Sequence, residues 1–153
     1  MTYKIKNIWN EELLIDTEVT KYINNNSLAI KLYDWDKEFE FWEPYATLTV
    51  NLEDISDCLL DNYAFVDTNN LPEAINFIKD NNLGIEVDIP PVVSGFCRYP
   101  LYKFNINDGE LSPFISKDNM TLHLNEELYE IYKRTKEKVS RLENKHFLTQ
   151  LMD

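Results

Sequence analysis

Residues 39–52 read FEFWEPYATLTVNL. From Trp42 onward the stretch alternates. Trp42, Ala46, Leu48, Val50 and Leu52 fall on one side of an extended chain, and Glu43, Tyr45, Thr47, Thr49 and Asn51 fall on the other. A strand written this way buries one face and wets the other, as antiparallel sheets do. Its start is irregular. Phe39 and Phe41 put apolar groups on the side that turns polar after Trp42, and Pro44 has no N–H to give to a ladder. A bulge or an edge position at residues 41–44 reconciles both facts; otherwise the two phenylalanines form a small exposed patch.

The segments before this strand repeat its logic. Tyr3, Ile5 and Trp9 alternate with Lys4 and Lys6; Leu13, Ile15, Val19 and Ile23 alternate with Asp16, Glu18 and Thr20. Asn24, Asn25 and Asn26 suit a turn, because asparagine tolerates positive φ. Leu28, Ile30 and Leu32 follow, and residues 34–37 reverse the chain again. Connections this short predict four antiparallel strands.

Downstream, residues 53–62 form an acidic link with a short helical turn, and Tyr63, Ala64, Phe65 and Val66 a buried strand. Pro72 and Glu73 start a helix whose apolar positions are Leu71, Ala74, Ile75 and Ile78, with Gly84 as its cap. Ile85, Val87 and Ile89 alternate until Pro90 and Pro91; residues 92–106 are extended, with interruptions at Gly95 and Pro100; and residues 107–109 turn. A long helix is predicted over about 125–151, capped by Asn125. Its line of Leu128, Tyr132, Val139 and Leu142 has Thr135 and His146 in the seam. That pattern favours packing on the sheet, with a homodimer through this helix as the alternative. The expected fold is α+β: one domain with an antiparallel sheet of five to seven strands, one mid-chain helix and this C-terminal helix.

A chain of 153 residues with 44% apolar and 13% aromatic residues can bury an ordinary core. Its 27 acids and 15 bases leave a net charge of −12. Residues 1–94 hold 18 of the acids and 6 of the bases, so the whole excess lies there. Such a surface aids solubility; it also repels nucleic-acid phosphates and anionic membranes and attracts basic partners or cations. Neither a leader nor an apolar run of membrane-spanning length is present, and Cys58 and Cys97 read as reduced thiols among apolar residues, so a cytoplasmic protein is expected.

Few groups suggest chemistry. His123 and His146 stand apart from both cysteines, the three glycines are far apart, and Ser94-Gly95 lacks the glycine of a nucleophile elbow. The dense acidic run Asp34, Asp36, Glu38 and Glu40 fails as a calcium loop, with Phe39 at its sixth position and Tyr45 at its twelfth. In an extended chain alternate carboxylates stand roughly 6.6–6.8 Å apart, close to successive phosphates of a nucleic-acid strand. A turn inside the run would break that row. No catalytic residue, metal or cofactor is assigned.

Glu43 to Leu52, Ala64 to Asn70, Asn82-Leu83-Gly84, Ser94-Gly95-Phe96 and Tyr99 to Phe104 together resemble a small family of Gram-positive bacteria and their mobile elements, domain of unknown function 4313, over roughly residues 40–106. The resemblance implies no activity; it implies a small accessory protein of mobile DNA, a setting in which acidic proteins often block host nucleases by mimicry or masking. Within the matched region Asp67, Asn69 and Asn70 suit turn and helix-start amides, and Tyr99 and Tyr102 suit buried rings with bonded hydroxyls. The leading expectation is a non-enzymatic module that engages a basic protein through Asp34, Asp36, Glu38, Glu40, Glu43 and Tyr45. The alternative is a small-ligand or metal-dependent enzyme with a pocket formed by Asp67, Asn69, Asn70, Ser94, Tyr99 and Tyr102.

Overall fold

The computed structural model describes residues 1–56 and 59–115, together with Lys133, Arg134 and Glu137. The first part is the expected meander. Strands β1 (Thr2–Lys6), β2 (Glu12–Lys21), β3 (Leu28–Asp36) and β4 (Phe41–Thr47) lie side by side in chain order, every pair antiparallel. Asn26 takes positive φ in the turn between β2 and β3. Lys37 to Glu40 form the next turn, so β3 keeps Asp34 and Asp36 within the strand.

β4 is an edge, which is where Pro44 costs no ladder bond. The register steps from Leu32 opposite Ala46 to Tyr33 opposite Pro44, leaving Tyr45 as the extra residue of a bulge. Both devices expected near residues 41–44 are therefore used, and Phe39 and Phe41 are also exposed.

The strand does not continue in one sheet to Leu52. It passes from one sheet to another at Leu48, whose N–H donates to the Ile30 carbonyl of the first sheet at 2.8 Å. The Leu48 carbonyl accepts from the Asp67 N–H, just past the second sheet, at 2.9 Å. Beyond it come β5 (Thr49–Val50), a helical turn α1 (Glu53–Ser56) and β6 (Tyr63–Val66). Then follow helix α2 (Ala74–Asp80), β7 (Gly84–Glu86), the hairpin of β8 (Val92–Ser94) and β9 (Cys97–Tyr99), β10 (Leu101–Phe104), and a small ribbon of β11 (Ile106–Asn107) and β12 (Glu110–Leu111). The second sheet runs β5-β6-β10-β7, again antiparallel.

This second sheet is covered on both faces. Along β6, Ala64 and Val66 face the main core with Tyr3, Ile15, Ile30, Leu32 and Phe77, whereas Tyr63 and Phe65 face a second cluster with Leu52, Val92, Tyr99 and Leu101. That explains why residues 63–66 read as a continuous apolar run rather than an alternation.

Several expectations are corrected. Up to residue 115 the described residues hold one seven-residue helix and one four-residue turn among twelve strands, so the fold is nearly all-β rather than α+β. The single sheet of five to seven strands is replaced by two four-stranded sheets and two ribbons, because the chain changes sheets at Leu48. The mid-chain helix is short because its helical run is bracketed by Pro72 and by Asn82. Asn82, at φ 54°, closes it while the Leu83 N–H reaches back to Ile78. Gly84 is not the cap. A Cβ there would stand 3.1 Å from Ile78 Cγ2 and 3.3 Å from the Lys103 carbonyl, so glycine permits β7 to pack closely. Trp9 and Ile23 are exposed turn residues rather than inward strand positions. The long helix over 125–151, and with it the dimer seam and Cys58, lies outside the described residues except Lys133, Arg134 and Glu137, which are helical.

Candidate interaction surface

The β3–β4 hairpin carries the acidic run. Residues opposite one another across a ladder share a face. Asp34 lies opposite Glu43 and Asp36 opposite Phe41, which gathers three carboxylates and a phenylalanine on one side of the hairpin. On its other side Trp35 lies opposite Trp42, with ring centroids 5.1 Å apart and planes tilted by 59°. The turn is ordered by Asp36, whose Oδ1 accepts from the N–H groups of Glu38 at 2.9 Å and Phe39 at 3.1 Å. Glu40 sits at φ 53°, a conformation side chains rarely adopt, and belongs to the turn rather than to either strand. The structure thus brings Asp34, Asp36 and Glu43 together and separates Glu38 and Glu40 onto the tip.

Tyr45 belongs elsewhere. As the bulged residue it packs against the main core, and its hydroxyl donates to Glu73 Oε1 at 2.7 Å. Burial, then the Glu73 carboxylate, raises its pKa strongly. Its use is to tie the edge strand to the start of α2.

Partial burial, then the neighbouring Asp36 carboxylate, raises the pKa of Asp34. The folded chain therefore holds this proton more tightly than the unfolded one. The stability it lends is complete below the unfolded aspartate range and is lost as pH rises through the folded value. Asp34→Asn is expected to stabilise the protein slightly at neutral pH, by about 0.5 kcal/mol or less because solvent screens this surface group. The gain should vanish below about pH 3, where Asp34 is protonated in both states. Thermal melts of both proteins at the two pH values check this; an equal difference at both would contradict it.

The second candidate set is spread out. Asp67 is buried, and both its oxygens are engaged by Asn70: Oδ1 accepts from the backbone N–H at 3.1 Å and Oδ2 from Nδ2 at 2.9 Å. Asn69 and Ser94 are exposed. Tyr99 packs in the second cluster and Tyr102 in the main core, on opposite sides of the second sheet. Burial raises both hydroxyls, Tyr102 to about 12. The two segments do adjoin, through Thr68 Oγ1 and the Arg98 carbonyl at 3.5 Å. A cleft of about 320 Å³ lies elsewhere, lined by Lys21, Ser27, Ser56, Asp61, Asn62 and Ile106 among others. Among the described residues no group of three His, Cys, Asp or Glu side chains is placed to hold a metal ion, and no helix is long and apolar enough to cross a membrane.

The sequence profile of a domain of unknown function, DUF4313, matches residues 17–125. The chain belongs to this family. Neither a curated protein nor a solved structure matches it. The match is longer than the resemblance at residues 40–106: it takes in the second half of β2, all of β3 and the whole acidic hairpin, so this surface is part of the DUF4313 domain.

The β1–β2 turn precedes the DUF4313 match, and sequence reading missed it as a surface feature. Asn7 Oδ1 accepts from the N–H groups of Trp9 at 3.0 Å and Glu11 at 2.9 Å, and Asn10 takes φ 62°. The tight turn lifts Trp9 out of the alternation begun by Tyr3 and Ile5. The signal was present in the pair of asparagines at 7 and 10 that flank Ile8 and Trp9.

Proposed function

We propose that this protein is a non-enzymatic interaction module that engages a basic protein through its β3–β4 hairpin. The observation that carries this reading is the gathering of Asp34, Asp36 and Glu43 on one side of a hairpin that also exposes Phe39 and Phe41. Carboxylates bind lysine and arginine, and apolar neighbours reduce the water that weakens such pairs. The partner class this reading favours is a host nucleic-acid-binding or defence protein whose basic site the module masks. Mimicry of phosphates is restricted to Asp34 and Asp36, which stand at strand spacing of roughly 6.6–6.8 Å.

The test replaces Asp34, Asp36, Glu38 and Glu40 by Asn, Asn, Gln and Gln. These amides keep the acceptor that orders the turn while removing four charges. Capture from host cytosol with the unaltered protein should recover basic protein at low salt and release it at high salt. The variant should recover none while melting within a few degrees of the parent. Capture that the variant leaves intact refutes the proposal.

A further inference from the structure

The two turns that join β1 to β2 and β3 to β4 lie at the same end of the first sheet. β1 and β2 are last paired at Lys6 and Glu12, and β3 and β4 at Asp36 and Phe41. Ile15 lies opposite Asp34, so Glu12 and Asp36 extend three and two residues beyond a common row. The turns are level within one residue, and two strand spacings place their centres about 10 Å apart.

This end holds half of the large apolar side chains exposed among the described residues: Ile8 at 65%, Trp9 at 73%, Leu14 at 38%, Phe39 at 70% and Phe41 at 45%. Over residues 4–14 and 34–43 they are interleaved with seven carboxylates (Glu11, Glu12, Asp34, Asp36, Glu38, Glu40 and Glu43) against three bases, Lys4, Lys6 and Lys37, and Lys4 Nζ pairs with Glu12 Oε1 at 3.2 Å. Asn7 and Asp36 hold the two turns by the same device, a side-chain oxygen accepting two N–H groups of its own turn. Trp9 and Phe39 therefore project from ordered loops, and a partner meets them without first ordering the backbone.

We propose that this end of the first sheet docks a basic amphipathic segment of a partner protein, one that spaces apolar side chains among lysines and arginines. The inference rests on the proposed reading of a basic partner and adds what that partner presents. Charge complementarity selects the occupant: a second copy would set one net-acidic end, seven carboxylates against three bases, on another, and an anionic membrane is repelled in the same way. A partner offering charge alone would leave Trp9 and Phe39 in water, where their area contributes nothing.

The test uses the full chain and two labelled synthetic peptides of equal positive charge, one interleaving leucine with lysine at helical spacing and one of lysine in a neutral, polar background. Fluorescence anisotropy should show the leucine-containing peptide binding about tenfold or more tightly than the other. Trp9→Ser and Phe39→Ser, one in each turn and both at exposed positions, should each remove most of that advantage. Phe96→Ser, at the exposed tip of the β8–β9 hairpin, should leave it unchanged. Equal affinity for the two peptides overturns this proposal and leaves a purely electrostatic basic partner standing. Loss of affinity from Phe96→Ser equal to that from Trp9→Ser also overturns it, and binding of neither peptide overturns both readings.

Discussion

Leu48→Ala is expected to lower the free energy of unfolding by about 3–5 kcal/mol, the upper range for a leucine truncated in a core. Leu48 is fully buried and belongs to the main apolar cluster. What makes the site costly is its backbone. The N–H is held by Ile30 of the first sheet at 2.8 Å, and the carbonyl by Asp67 at the end of β6 at 2.9 Å. With the chain pinned from both sides, neighbouring elements cannot settle into the space left by the lost isobutyl group, and the cavity persists. Val50, two residues on and only half-buried, is the control: Val50→Ala should cost about 1 kcal/mol. Urea denaturation measures both, as a drop in midpoint with the slope unchanged. A Leu48→Ala shift no larger than that of Val50→Ala would show that the junction does not couple the sheets.

The same residue marks where sequence reading stopped. The alternation from Trp42 to Leu52 was legible, and so were the antiparallel meander, the short strand at residues 63–66 and the turn at residues 107–109. Alternation reports only that a side is buried, not by which sheet. Leu48 keeps its place in the pattern while its two hydrogen bonds go to different sheets, and no periodicity records that change. The helical content was overread for a related reason. Leu71, Ala74, Ile75 and Ile78 keep helical spacing, yet Leu71 lies before the helix, tied to Asp67 by its N–H, and the helix itself lasts seven residues. Of the candidate surface, the carboxylates of β3 were legible as a run, but their grouping with Glu43 depends on the register across the hairpin. The contribution of Trp9 depends on a neighbouring turn thirty residues away in the chain, a relation that only the strand order supplies.

Phe65→Ala is expected to cost about 3–5 kcal/mol and to lower the melting temperature by about 10 °C. Phe65 is fully buried in the second cluster, on the side of β6 that faces away from the first sheet. All three tryptophans, Trp9, Trp35 and Trp42, belong to the first sheet or its turn, so their fluorescence reports on that sheet alone. The two clusters share β6, whose alternate residues Ala64 and Val66 pack into the main core, and β10, which sends Leu101 one way and Tyr102 and Phe104 the other. A strand cannot lose its packing on one face and keep its position on the other. The tryptophan transition should therefore move down together with the far-ultraviolet circular dichroism transition, as one cooperative event. If the circular dichroism midpoint fell while tryptophan fluorescence held its original midpoint, the first sheet would be a separate folding unit. The acidic hairpin would then stand on a scaffold that does not need the second sheet.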